Sequence, residues 1–135
     1  MQKLNSCGGI IDIPTLSVLA LNAVEGDSFD KTFTFKYRGT NTTIPIEEGT
    51  TGYFKVAVGY HGFTLIMSPL VIDPATNSVL VSVPPQEMNG LGSNYSQKVM
   101  YKYAITLTLP SNEVVTYQMG DFVVVSNVIP QVSPQ

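Results

Sequence analysis

One stretch of the chain, residues 98–126, constrains the fold more than any other. Its first half alternates between two sets of side chains: Tyr101, Tyr103, Ile105, Leu107 and Leu109 on one parity, and Met100, Lys102, Ala104, Thr106 and Thr108 on the other. A period of two residues is typical of a β-strand with one buried face. Residues 110–113 predict a turn, because Pro110 fixes φ and Asn112 tolerates a left-handed conformation. Residues 114–126 predict a second long strand, interrupted at Gly120.

The same period recurs in shorter segments upstream, which are rich in β-branched and aromatic residues. These segments are residues 29–37, 53–60, 63–67, 70–72 and 79–83. Within the second of them, the alternation predicts that Phe54, Val56 and Val58 point inward. Residues 42–46 predict a short strand at an edge or a bulge, because Pro45 cannot donate to a sheet ladder. Residues 86–91 predict a single helical turn, because Pro85 can occupy its first position.

These elements together predict the fold class. We expect an all-β protein, an immunoglobulin-like Greek-key β-sandwich of about seven to nine strands. Residues 1–23 are predicted as an N-terminal arm that could include a first strand, residues 24–128 as the sandwich, and residues 129–135 as a short extended C-terminal tail. Tyr101 or Tyr103 is a candidate for the tyrosine corner of such folds.

Composition argues against several classes of function. The chain has 135 residues, which fits one domain, and its net charge of −3 comes without any run of basic residues, so we expect no nucleic-acid partner. Its most apolar run, residues 10–24, is interrupted by Asp12 and Pro14 and is shorter than the ~20 residues of a spanning helix, so we expect no membrane partner. Only 13% of residues are charged, which suits a surface that packs against other protein.

The residue types that usually carry chemistry form no recognisable set. His61 is the only histidine and lies in a glycine-flanked loop, and Cys7 is the only cysteine, so an internal disulfide is impossible. The carboxylates fall mostly in turns, where they usually cap their own backbone: Asp27, Asp30, Glu47, Glu48, Asp73 and Asp121. We therefore predict no catalytic residues, no metal site and no cofactor, and a protein that is not an enzyme.

Several short motifs follow one another in a specific order between residues 24 and 128. They are Gly26-Asp27-Ser28-Phe29, Phe33-Thr34-Phe35, Ile44-Pro45-Ile46, Tyr53-Phe54-Lys55-Val56, Ile72-Asp73, Val79-Leu80-Val81, Tyr101-Lys102-Tyr103-Ala104-Ile105 and Tyr117-Gln118-Met119-Gly120-Asp121-Phe122-Val123-Val124. In this order they resemble the immunoglobulin-like N-terminal domain of phage baseplate upper proteins and related phage virion proteins. The chain departs from that pattern in the arm that precedes the domain.

The resemblance implies a structural protein of the bacteriophage virion, assembled in the host cytoplasm. Such a module docks on other virion proteins in the tail, baseplate or neck, in a symmetric multi-copy assembly, and anchors fibre or receptor-binding parts. A capsid decoration protein or a head-fibre anchor on the phage head is an alternative. A third alternative is a carbohydrate-binding module that binds a host-surface glycan through tyrosine platforms, although Tyr101 and Tyr103 share the parity of core residues and the chain has no tryptophan.

The residues predicted to contact partners are apolar and lie outside the main alternation. They are Ile10, Ile11, Ile13, Leu16, Val128 and Ile129. The sequence is compatible with two placements of the arm: it packs on its own sandwich, or it docks on a neighbouring subunit.

Overall fold

The structure, a computed structural model, describes residues 15–59, 62–91 and 98–126. Within these ranges the chain forms nine strands and one short helix. In chain order they are β1 (Ser17–Val18), β2 (Leu21–Val24), β3 (Phe29–Phe33), β4 (Thr51–Ala57), β5 (Thr64–Pro69), β6 (Val71–Asp73), β7 (Ser78–Val83), α1 (Pro85–Met88), β8 (Lys98–Thr108) and β9 (Val114–Val125). The expectation of an all-β protein is confirmed, and the described part of the chain contains no helix long and apolar enough to cross a membrane.

The strands form two sheets. The larger has the order β1-β9-β8-β4-β5, with β2 also paired to β9, and the smaller has the order β3-β7-β6. β1 and β2 run parallel to β9, whereas all other neighbouring pairs are antiparallel. The segment predicted as a first strand therefore does form strands, and these strands make one edge of the larger sheet.

The predicted hairpin lies at the centre of the larger sheet. β8 and β9 pair over eleven positions, and the turn between them has Asn112 at a φ of 74°, in the left-handed region expected from the sequence. The Leu109 amide donates to the Glu113 carbonyl oxygen at 2.8 Å and closes the turn. Tyr103 and Ile105 are fully buried, so the parity inferred for β8 is confirmed.

The core lies between the two sheets and contains side chains from both. Phe29 of β3 stacks on Phe54 of β4 with ring centroids 5.8 Å apart, and it meets Phe122 of β9 edge-on at 5.3 Å. Aromatic pairs in such geometries contribute about 0.5–1.5 kcal/mol beyond the burial of their area. These contacts hold β3 against the larger sheet, although no strand pairing joins the two sheets among the described residues.

Two predictions about individual segments are wrong. Residues 42–46 form no strand but only an isolated bridge between Thr43 and Lys36, because Pro45 has no amide hydrogen and the Ile46 amide donates to the Asn77 side chain at 3.0 Å. Val58 is 56% exposed rather than inward, because β4 ends one residue before it.

A third prediction, an interruption of β9 at Gly120, is also wrong. The strand continues from Val114 to Val125, and the irregularity in its pairing with β8 falls between Ile105 and Thr106 instead. Gly120 instead makes a close contact with the N-terminal strands, which is described below.

The loop that follows α1 is held by polar contacts with β8 and with the turn that follows β2. The Tyr101 hydroxyl donates to the Leu91 carbonyl oxygen at 2.6 Å, and the Gly90 amide donates to the Glu25 carboxylate at 3.0 Å. Burial raises the pKa of Tyr101 above its ordinary value, and the negative charge of Glu25 raises it further. The neutral phenol is therefore the form that the fold favours.

Candidate docking groove

A groove runs between the N-terminal strands and β3, and we call it the edge groove. It consists of two adjoining cavities of about 730 and 640 Å³, which share Leu19, Thr34 and Gln118 in their linings. One wall is formed by residues 16–22 and the other by residues 29–40. The edge groove therefore lies between β1 and β2 on one side and β3 with the residues that follow it on the other.

Each wall of the edge groove includes a strand that lies at the edge of a sheet. β1 and β2 pair only with β9, and β3 pairs only with β7, among the described residues. An edge strand presents backbone amides and carbonyls that another strand can pair with. This arrangement is suited to binding an extended segment of polypeptide.

The N-terminal wall is fixed to β9 by the backbone of Leu19. Its amide donates to the Met119 carbonyl oxygen at 3.0 Å, and its carbonyl oxygen accepts a hydrogen bond of 2.8 Å from the Tyr103 hydroxyl. The Tyr103 hydroxyl in turn accepts a hydrogen bond of 3.0 Å from the buried Gln118 side chain. Gln118 thus closes the floor of the edge groove without an unpaired polar group.

Gly120 permits this close approach. Its φ is 152°, and a Cβ atom at this position would lie 2.2 Å from the Leu19 carbonyl oxygen. Any other residue would push Leu19 away from β9. The absence of a side chain at residue 120 is therefore what allows the N-terminal strands to reach their register.

Several basic residues lie along the edge groove. Lys31, Lys36 and Arg38 line it, together with the single carboxylate of Asp30. Asp30 accepts a hydrogen bond from the Ser82 hydroxyl, and the Lys31 ammonium lies 6.0 Å from the centroid of the Phe33 ring. Three of the seven basic residues of an otherwise acidic chain therefore lie along this one feature.

Of the predicted partner-contact residues, the structure places one. Leu16 lines the edge groove, and its side chain is only 8% exposed, so in this conformation it packs mainly against its own chain. The others lie outside the described residues: Ile10, Ile11, Ile13, Val128 and Ile129. His61 and Cys7 lie outside them as well.

Two of the acidic residues that the structure describes, Asp73 and Asp121, have structural partners. Asp73 accepts hydrogen bonds from the Ala75 amide at 3.1 Å and from the Thr76 hydroxyl at 2.9 Å, which is the turn-capping role expected from the sequence. Asp121 pairs with Lys102 on the outer face of the larger sheet. No group of three His, Cys, Asp or Glu residues with the spacing of a metal site occurs in the described ranges.

The tyrosines do not share one surface. Tyr103 and Tyr117 are buried and Tyr101 packs against the core, as the parity argument predicts for Tyr101 and Tyr103, whereas Tyr53 is 46% exposed. Tyr60 and Tyr95 lie outside the described residues.

Sequence reasoning missed the residues that build the edge groove. Gln118 and Leu19 show no local signal, since the partner of each is set by a strand far away in the chain. Gly120 did show one: a glycine inside a strand pattern often marks a close backbone approach.

Comparison of the chain with family models and with curated proteins found no relative. No family model matches the chain, and no curated protein matches its sequence.

Proposed function

We propose that the chain is a non-catalytic, immunoglobulin-like module of a phage virion, which docks on other virion proteins through the edges of its sheets. The observation that carries the proposal is the edge groove, where two strand edges unpaired by any described residue face each other. Addition of an extended segment to such an edge gives affinity through main-chain hydrogen bonds and specificity through alternate side chains.

The order of the strands supports the immunoglobulin-like assignment. In these folds, strands G, F and C form one sheet, which can extend to C′, and strands B, E and D lie in the other. The orders β9-β8-β4-β5 and β3-β7-β6 correspond to these two sets. The hydrogen bond from Tyr101, near the start of β8, to the Leu91 backbone corresponds to a tyrosine corner.

The outer face of the larger sheet supports a place among other subunits. Tyr53, Met67 and Met100 are each about half exposed on it, at 46%, 52% and 55%. Scattered apolar side chains are normal on a surface. Together with a charged fraction of only 13%, they fit a protein whose faces are partly covered in an assembly.

The test is to locate the chain in purified particles. The chain would be expressed with an epitope tag in the phage–host system that encodes it, and particles would be purified on a density gradient. Quantitative mass spectrometry then gives its copy number relative to the major capsid protein. We expect the chain to co-purify with particles.

The copy number distinguishes the placements within the virion. A dozen copies or fewer would support the tail, baseplate or neck, and hundreds would support a decoration protein of the head. A variant without residues 1–12 is expected to fold, by its circular dichroism, and to be lost from particles. Absence of the full-length chain from particles would overturn the proposed function.

A further inference from the structure

We propose that the edge groove receives residues 9–14 of a second copy of this chain, which add as a strand beside β3. The inference rests on the proposed function only in that copies lie side by side in an assembly. It goes beyond that function by naming both the receiving surface and the segment that fills it.

The length of the segment matches the length of the edge groove. Six extended residues span about 20 Å at about 3.3 Å per residue. The N-terminal wall of the edge groove extends over seven residues, 16–22, most of them extended in β1 and β2. A segment of six residues therefore fills the edge groove without a turn.

The lining of the edge groove contains apolar and charged residues, and the side chains of the segment match both kinds. Ile11 and Ile13 fall on one parity of residues 9–14, and Asp12 falls on the other with Ile10. The apolar parity suits Val18 and Leu19, which line the edge groove and are 59% and 54% exposed.

The charge of the segment matches as well. Asp12 is its only charged residue, and the lining includes Lys31 and Lys36. Because Asp12 lies on the parity opposite Ile11 and Ile13, a strand that buries the isoleucines turns this carboxylate toward the rim, where Lys31 and Lys36 lie.

The direction of the chain favours a second copy over the same one. Leu16 already forms part of the wall, so residues 9–14 of the same chain would have to reverse direction immediately before it to enter the edge groove. The residue before a proline is biased toward extended conformations, and Ile13 precedes Pro14. This bias disfavours the reversal that entry into its own edge groove would require.

The experiment uses full-length protein and a mixing design. An arm variant, Ile11→Asp/Ile13→Asp, keeps the edge groove intact, and a groove variant, Lys31→Glu/Lys36→Glu, keeps the arm intact. We expect the wild type to associate in sedimentation velocity, and each variant alone to have a dissociation constant raised at least tenfold. Mixing the two variants should restore a dimer, because the intact arm of one meets the intact edge groove of the other.

A charge-matched control separates the edge groove from charge in general. Lys55→Glu/Lys98→Glu makes the same change in net charge on the larger sheet, on strands that do not line the edge groove. This variant should associate like the wild type. If it loses association to the same extent as the groove variant, the edge groove is not the receiving surface.

Each remaining outcome contradicts the inference. A wild type that stays monomeric up to millimolar concentration, with the arm variant less stable to urea, would place the segment in its own edge groove. A monomeric wild type with an arm variant of unchanged stability would mean that the segment does not bind there at all. A mixture that stays monomeric would exclude arm exchange. These measurements need no virion, so the proposed function can fail in particles while this inference holds, and the reverse.

Discussion

Replacing Gly120 with alanine tests how the N-terminal strands are held against β9. The new Cβ atom would lie 2.2 Å from the Leu19 carbonyl oxygen and 2.9 Å from its carbonyl carbon. Ordinary contact requires about 1 Å more than the shorter of these distances. The Leu19 backbone must therefore move away from β9.

The cost follows from what that movement breaks. The Leu19 amide would lose its bond to the Met119 carbonyl, and the Leu19 carbonyl would lose its bond from Tyr103. Each such hydrogen bond contributes about 0.5–1.5 kcal/mol net. An alanine held at positive φ adds about 1–2 kcal/mol. We expect Gly120→Ala to lower the free energy of unfolding by about 2–4 kcal/mol.

Urea and thermal denaturation followed by circular dichroism measure this loss. For a domain of this size, about 1 kcal/mol lowers Tm by about 3–5 °C, so the expected decrease is about 6–20 °C. Gly59→Ala is the control, because a Cβ atom there would meet nothing within 4 Å and residue 59 needs no positive φ.

A double-mutant cycle with Tyr103→Phe tests the geometry itself. Because Gly120→Ala already breaks the bond between Tyr103 and Leu19, the two substitutions together should cost less than the sum of their separate effects. A loss below about 0.5 kcal/mol for Gly120→Ala, or strict additivity in the cycle, would refute the account of how Leu19 is held.

Two further predictions concern a turn and a partly buried hydroxyl. Asn77 has a φ of 53° and accepts a hydrogen bond from the Ile46 amide. Asn77→Ala should therefore lower the free energy of unfolding by about 2 kcal/mol, and Asn77→Gly by about 1 kcal/mol. Equal losses for the two variants in urea denaturation would contradict this prediction. The raised pKa of Tyr101 means that its contribution to stability is fully present below the unfolded pKa of about 10 and is lost as pH rises through the folded pKa. Tyr101→Phe should therefore reduce the fall in stability between pH 8 and 11, which urea denaturation across that range measures, and an unchanged fall would contradict the prediction.

Local chemistry made several features predictable. Proline and asparagine in residues 110–113 specify a turn by their own backbone preferences, and Asn112 has the left-handed conformation that they imply. Phe54 and Val56 alternate with polar neighbours, and both are completely buried. These features depend on residues next to one another, so the sequence alone reveals them.

Other features depend on where distant strands meet. Tyr103 donates to a carbonyl that lies 84 residues away, and no local pattern marks that pairing. Val58 continues the inward parity but lies past the end of β4, and strand ends depend on which neighbours are available. Residues 42–46 have strand-like side chains, yet the Ile46 amide donates to the Asn77 side chain instead of a strand.

The sequence by itself determined the all-β class, the central hairpin and the buried side of β4 and β8, because a two-residue period is visible in adjacent positions. The tertiary structure alone decided that β1 and β2 lie parallel to β9, that Gly120 admits the Leu19 carbonyl, and that two strand edges face each other across a groove. A strand edge is free only where no other strand pairs with it. Which edges are free therefore depends on the pairing of all strands and not on any single segment.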